Sequence, residues 1–480
     1  MIFNTLREFY YDYQMPLARA LHEIDKRGFS VDTAKLGAFR TDLKQELRKN
    51  CDAIASAVGK PVVYSKGDPE FAKHGDKGCI NLSAPAQVIA MLQSRGLKVP
   101  KSRDTGKESS AEKHLFRLFA ESNDLVIRHT MTIRGLNKIL GTYVDAALLN
   151  GVLLGQSKPS GTVTGRRSST QNFLGFGTNL QNLPKHSLLG ARFRECLVAR
   201  PGHIFVMADQ SKAEDWVVQG IIADVSGDTR GLDELRSRVN RHAKLAAFVF
   251  GKPESECQSK TPAGEDNILY YLGKKVRHAG NYDMYGQTMS DALAGEGVAL
   301  PKAYCQQLLD KFHQAEPSIK GVFHKYVRQE LQSKRELITP IGRRRKFFNL
   351  RPYSDNSATF RDGYAQIPQS TVGDNTGLAV LFCERNRPGL VLADWHDAVV
   401  LETGFSQGSI LEGARLLSKA FDRVLRFPIS GLQLRIPIEF EIGTNLRTTK
   451  SFDSVEAIQR HFERIEAEAL CAAAIGKDVA

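Results

Sequence analysis

The chain has no CxxC pair, no Cys/His spacing of the kind that holds a metal, and no long apolar run. Its 7 cysteines, at positions 51, 79, 196, 257, 305, 383 and 471, are odd in number and show no pairing pattern. That excludes a disulfide framework and fits reduced thiols in a cytosol-like compartment. The start, Met1-Ile2-Phe3-Asn4-Thr5-Leu6-Arg7-Glu8, lacks the apolar core of a secretory leader, and no stretch reaches membrane-spanning length. Internal repeats and low-complexity linkers are missing too. The string Gly175-Phe176-Gly177 is no dinucleotide fingerprint, because no strand and helix flank it at the required spacing. What remains is a soluble, cytoplasmic protein whose 480 residues suffice for roughly two to four subdomains.

Positive charge is in excess: 66 Lys and Arg stand against 53 Asp and Glu, a net charge of +13. Such a surface favours polyanions, nucleic acid above all. The hydrophobic pattern is mixed. Leu17, Leu21 and Ile24, then Leu36, Phe39 and Leu43, recur at helical steps, and helical character returns over 84–97 and 111–143. Residues 60–80 read as a loop, and 151–183, rich in Gly, Ser, Thr, Asn and Gln, as irregular or β. A strand followed by a helix is expected over 203–222, helices over 235–250, 267–292, 302–333 and 371–384, a hairpin over 391–402, then a helix at 410–421 and a strand at 434–442. The expected fold class is α/β or α+β, with helical arms around a small sheet.

Two aspartates stand out. Asp209 ends the apolar run Ile204-Phe205-Val206-Met207-Ala208, and Asp397 sits at the tip of the hairpin Val391-Leu392-Ala393-Asp394-Trp395-His396-Asp397-Ala398-Val399. An aspartate at a strand end is more often a cap or turn residue than a ligand. Two of them on adjacent strand ends can nevertheless hold two Mg²⁺ ions, since water and substrate phosphates complete each octahedron. Three further groups accompany them. Lys274, His278 and Tyr282 share one helical face, with Lys275, Arg277 and Tyr285 nearby, which suits a triphosphate and a base or equally a solvated basic face. Thr162-Val163-Thr164-Gly165-Arg166-Arg167 and Asn179-Leu180-Gln181-Asn182-Leu183-Pro184 supply donors for phosphate, sugar or minor-groove acceptors. Arg343-Arg344-Arg345-Lys346 reads as a backbone-phosphate contact or a solubilising loop.

In order and spacing these strings resemble the polymerase region of family A DNA polymerases. Asp209-Gln210-Ser211-Lys212-Ala213-Glu214 is similar to motif A, followed by Ser226-Gly227-Asp228; the helix ending Tyr285-Gly286 is similar to motif B; His396-Asp397-Ala398 is similar to motif C. The resemblance implies a right-hand polymerase with an antiparallel-sheet palm and helical fingers and thumb. Its expected parts are a thumb-like region at 1–150, palm at 151–230 and 351–480, and fingers at 231–350. It implies catalytic roles for Asp209, Asp397, Lys274 and His278, and two metal ions on Asp209, Asp397 and Gln210. His242, Lys274, Arg277 and His278 would contact the incoming triphosphate. Glu214 beside Tyr282 would exclude a ribose 2′-hydroxyl. Arg166, Gln181, Asn182, Tyr285, Gly286, Arg343, Arg344, Arg361, Gln369 and His396 would line the primer-template DNA.

Three departures qualify the match. Ala398 replaces the usual motif C glutamate. Motif B is one residue short, so the family's lysine falls on His278 when anchored on Tyr282 and on Arg277 when anchored on Tyr285; we favour the first, which keeps the cations and the ring on one face. Ala365 stands where the family often has Asn. The expected activity is template-directed addition of deoxynucleotides to a primer, in replication or gap filling. No room is expected for a built-in exonuclease, so a phage-like enzyme with a separate exonuclease or processivity factor is implied. Rival readings are a single-subunit RNA polymerase, a non-catalytic nucleic-acid-binding protein with a decayed site, and a two-metal nuclease.

Overall fold

The computed structural model describes residues 2–102, 105–184 and 187–475, with side chains to 465. The chain folds as two compact units. The first comprises Met1–Thr33, Ala147–Arg241 and Pro317–Ala480, and the second Ala34–Ala146 and His242–Glu316. Segments 1–33 and 317–350 thus belong with the sheet described next, and 34–146 shares a unit with 242–316.

The first unit is built on a five-stranded antiparallel sheet: β1 (His203–Gln210), β2 (Val391–Trp395), β3 (Ala398–Gly404), β4 (Ile438–Gly443) and β5 (Lys450–Phe452). Its strand order is β2-β3-β1-β4-β5, with β1 central. Successive side chains of a strand point to opposite faces, and this sheet buries both. Ile204, Val206, Ala208, Val399, Leu401, Phe440 and Ile442 pack into a core with Val380, Ile410, Leu417 and Phe421 from helices Ser357–Asn386 and Gln407–Phe421. On the other face Phe205 meets Phe29 edge-on at 5.8 Å, and Phe29 stacks on Trp395 at 5.8 Å. Each such side chain contributes about 1.5–3 kcal/mol on burial, which explains why an almost continuous apolar run forms the central strand.

Helix Ser357–Asn386 starts well before the expected 371 and runs through Pro368. A proline in a helix interior costs about 3 kcal/mol, and packing offsets it here: Tyr364, Ile367, Val372 and Val380 are all buried. Thr371 Oγ1 donates to the Ile367 carbonyl at 2.7 Å, next to the interruption.

The second unit is helical. Thr33–Val58 buries Leu36, Phe39, Leu43 and Leu47, as the periodicity predicts. Where a loop was expected over 60–80, the chain forms a parallel pair, Val62–Val63 with Ile80–Asn81, and a helix at Pro69–Gly78. The expected helix at 267–292 is two, Ile268–Asn281 and Gly286–Gly295, separated at Asp283 by a left-handed φ of 55°. Likewise 235–250 breaks between Arg236 and Arg241, and 302–333 breaks after Ala315. Helix Ile268–Asn281 lies close to its neighbours through two glycines. A Cβ on Gly273 would stand 2.8 Å from the His242 carbonyl oxygen, and one on Gly280 would stand 2.1 Å from Phe312. Among the described residues no helix is long and apolar enough to cross a membrane.

Candidate functional site

The sheet register brings the two aspartates together. Asp209, the penultimate residue of β1, pairs with Ala398 on β3, and Trp395 pairs with the same Ala398 across the β2–β3 hairpin. The hairpin therefore turns on His396-Asp397, and Asp397 stands beside the end of β1, where the Gln210 N–H donates to the Asp397 carbonyl at 3.1 Å. Directly paired residues share a face. Asp209 thus has Ala398 on one side and Glu439 of β4 on the other, where Glu439 accepts from Ser211 Oγ at 2.7 Å.

The hairpin is held from beneath. Arg167 forms a fully buried ion pair with Asp394 and donates to the Gly373 carbonyl at 2.7 Å. Gln181 is buried; its Nε2 reaches the carbonyl and carboxylate of Asp394, and its Oε1 accepts from the His396 N–H at 3.2 Å. Thr376 Oγ1 donates to the His396 carbonyl at 3.0 Å. His396 itself has a left-handed φ of 40°. Burial first, then the nearby Arg166 and Arg167 charges, push its imidazole below the usual histidine range.

Gln210 turns away from this face. It is 2 % exposed, donates to Thr376 Oγ1 at 2.8 Å and accepts from Asn375 Nδ2 at 2.6 Å. Any part it takes in a metal site falls to its main chain. Glu214, in the first turn of helix Ala213–Ser226, is paired with Arg166. Asn182 is exposed beside the buried Gln181, and Arg361 and Gln369 are half-buried on helix Ser357–Asn386.

The arginines of the run 343–346 are held in ion pairs within the fold. Arg343 forks onto Asp374 at 2.7 and 2.8 Å, lies 4.8 Å from the centre of the Phe9 ring, and shares Asp374 with the Tyr13 hydroxyl. Arg344 pairs with Glu336 at 3.3 Å and donates to the Asn4 carbonyl at 3.0 Å. Arg345 donates to Gln366 at 2.9 Å, pairs with Asp362 at 3.6 Å and covers Phe347. These guanidiniums tie the N-terminal segment, the hairpin at 336–346 and the long helix together. Signals for those partners lay far away in the chain.

In the second unit Lys274 and His278 are exposed on one face of helix Ile268–Asn281, and Tyr282 caps that helix with its ring 5.1 Å from the His278 ring, edge to face. Among the described residues Lys274 has no carboxylate partner. Arg277 faces the other way: it is 3 % exposed, pairs with Glu316 at 2.9 Å and lies over Phe312. His242 meets Tyr270 edge-on at 5.8 Å, and its carbonyl lies against Gly273. Tyr285 is half exposed, whereas Gly286 is buried and its N–H donates to Gln306 at 2.9 Å. A Cβ on Gly286 would stand 2.6 Å from the Gln306 nitrogen, so helix packing requires a glycine here.

No group of three or more His, Cys, Asp or Glu side chains that could hold a metal ion is present among the described residues. Two carboxylates on neighbouring strand ends still fit Mg²⁺, which keeps several waters and takes most of its remaining oxygens from phosphate.

The profile of DNA polymerase family A matches residues 68–447. The thermostable DNA polymerase I of Thermus thermophilus is 26% identical over 447 residues, covering 90% of this chain and 47% of that protein. DNA polymerase I of Bacillus subtilis is 22% identical over 463 residues, covering 92% and 46%. The chain therefore spans about half the length of the curated relatives it matches. Among solved structures, the polymerase domain of Pol1 from M. smegmatis, in complex with DNA primer-template and dNTP, superposes with a TM-score of 0.71 at 20% identity, covering 92% of this chain and 71% of that one. At that identity the likeness speaks for the fold.

Proposed function

The chain belongs to DNA polymerase family A, and from that premise we propose that it is a DNA-directed DNA polymerase that extends a primer 3′ end with deoxynucleotides on a DNA template. One observation carries the reading: the register that sets Asp209 beside the His396-Asp397 turn. Asp209 and Asp397 would hold two divalent cations, with Mg²⁺ the natural choice, and the main chain of Gln210 would complete the protein's share. Those ions supply activation of the primer hydroxyl and charge to steady the departing pyrophosphate.

The protein's own part is positioning. Gln181, Arg167 and Thr376 fix the hairpin that carries Asp397, so that its carboxylate does not reorganise during reaction. Lys274 and His278, with His242, are the groups suited to a triphosphate. The burial of Arg277 in its ion pair favours the motif B register anchored on Tyr282. Arg166, Asn182, Arg361, Gln369 and His396 would contact the duplex near the primer end, in a groove whose acceptors are alike in all base pairs. Arg343 and Arg344 already hold ion pairs with Asp374 and Glu336, so less of the DNA contact is assigned to them. Glu214 is proposed as the group that rejects a ribose 2′-hydroxyl. Thumb, palm and fingers are proposed at 1–150, 151–230 with 351–480, and 231–350. A role in replication or gap-filling repair, a cytoplasmic location and a separate exonuclease or processivity factor complete the reading.

The test is primer extension with Mg²⁺. Wild type should lengthen a primer only when dNTPs are present. Asp209→Ala and Asp397→Ala should each abolish extension while duplex binding persists. Strand degradation without dNTPs would mean a nuclease, and ribonucleotide use equal to that of dNTPs would remove Glu214 as a gate.

A further inference from the structure

The ion pairs of Arg343, Arg344 and Arg345 raise the question of which cations are left for nucleic acid in this part of the first unit. Two are Arg335 and Arg351. Among the described residues neither guanidinium has a carboxylate or other side-chain partner, although arginines on both sides are paired. Both line a cleft of about 370 Å³. Tyr353, Phe360 and Gln332 share its wall, and no acidic residue does.

The cleft is a built feature. Arg335 ends helix Lys325–Lys334 with a left-handed φ of 52°, and its N–H donates to the Leu331 carbonyl at 3.0 Å. The loop that follows the arginine run is closed by Asn356. Its Oδ1 accepts from the Arg351 N–H at 3.0 Å, and its Nδ2 donates to the carbonyls of Arg351 and Ser354 at 2.9 and 3.1 Å. The loop holds Tyr353 at a φ of 58° with its ring fully exposed. A bulky residue held in that conformation, with an apolar ring in water, gains nothing for the fold. Phe360 also lines the cleft, half-buried next to Arg361 on the same helix, with Arg328 over its ring at 5.8 Å.

We propose that this cleft binds unpaired DNA, a nucleotide of the single-stranded template, with phosphate on Arg335 and Arg351 and a base stacked on Tyr353. Cations that track a backbone beside rings that stack on bases are the chemistry of single-strand binding without sequence preference. Arginine forks suit phosphate oxygens. The inference rests on the polymerase reading for the identity of its strand, and it adds a contact beyond the paired region.

Fluorescence anisotropy with two probes tests it: a blunt duplex, and the same duplex with a 5′ template extension of about ten nucleotides, within the span of a single-strand site. Arg335→Asn combined with Arg351→Gln removes both charges, and asparagine tolerates the left-handed backbone at 335. This variant should bind the extended probe about tenfold more weakly than wild type and show a shallower salt dependence, with blunt-duplex affinity unchanged. Tyr353→Ala should weaken the extended probe by at least about fivefold, the lower end of a base-stacking contact. The proposal is overturned if the double variant binds both probes as wild type does, or loses both equally. Extension of a primer by one nucleotide on a minimal overhang reads the polymerase activity separately. Wild type failing there would sink the polymerase reading, whereas wild-type success with an unchanged overhang affinity in the variant would sink only this cleft.

Discussion

The carboxylates at the end of the sheet and the cations on helix Ile268–Asn281 are held in opposite ways. Asp397 belongs to a turn whose backbone is gripped by Gln181, Thr376 and Gln210, above the buried Arg167–Asp394 pair. Lys274 and His278 stand exposed on a helix face whose reverse side is locked by Gly273, Gly280 and the Arg277–Glu316 pair. A metal site must have its donors placed before the metal arrives, because misplacement by even an ångström is costly to reaction. A lysine that captures a flexible triphosphate has no such demand, and its long stem finds the phosphate. The comparison teaches that placement is invested at the sheet end and reach at the helix.

The largest effects should come from breaking the sheet end. Asp209→Ala or Asp397→Ala is expected to lower kcat for primer extension by about 10³-fold or more, since each removes a proposed metal ligand. Thermal melting should hardly change, as neither side chain carries the core. Arg167→Ala should act through stability instead. It leaves Asp394 buried and uncompensated, which costs about 3–5 kcal/mol in urea unfolding. Arg167→Met with Asp394→Asn should recover part of that loss. A single Arg167→Ala variant as stable as wild type would show that the pair does not brace the hairpin.

How far each half could be read from the sequence follows from the range of its interactions. Asp209 and Asp397 were legible because local apolar runs mark both as strand-end residues, and strand pairing did the rest. Helix ends were harder: the break at Asp283 depends on one left-handed residue, and the continuation through Pro368 depends on burial by distant elements. The partners of the run 343–346, Asp374, Glu336 and Asp362, were not legible because they are named by tertiary structure rather than by spacing. Gln181 was expected to face DNA, yet its amide is occupied by the hairpin, a contact between residues far apart in the chain. Arg335 and Arg351 carried no sequence signal at all, because an arginine becomes informative only once its neighbours are seen to be paired.

On the helix the comparison predicts a split between two nearby cations. Lys274→Ala should raise KM for dNTPs by about tenfold, roughly one charge-assisted contact, and leave urea unfolding unchanged. Arg277→Ala should do the reverse, lowering stability by about 2–3 kcal/mol, because Glu316 loses its buried partner, with a normal KM in the folded fraction. Steady-state kinetics beside denaturation curves for the two variants decides this. Equal KM effects would return Arg277 to the phosphate site and reopen the motif B register.

The smallest expected effect probes what stands beside Asp209 now that Ala398 holds no carboxylate. Across the sheet the row reads Trp395, Ala398, Asp209, Glu439, and its only acidic neighbours are Asp209 and Glu439. Like charges directly opposite on paired strands destabilise by up to about 1 kcal/mol. Glu439→Gln should therefore raise stability slightly in metal-free buffer, while the added stability on Mg²⁺ titration shrinks, because less repulsion remains for the cation to relieve. Melting curves with and without Mg²⁺ measure both. If Mg²⁺ stabilises wild type and Glu439→Gln equally, Glu439 lies outside the field of the metal site, and the chemistry rests on two aspartates alone. A smaller shift in the variant would mean that the charge missing from β3 is supplied across the sheet by β4.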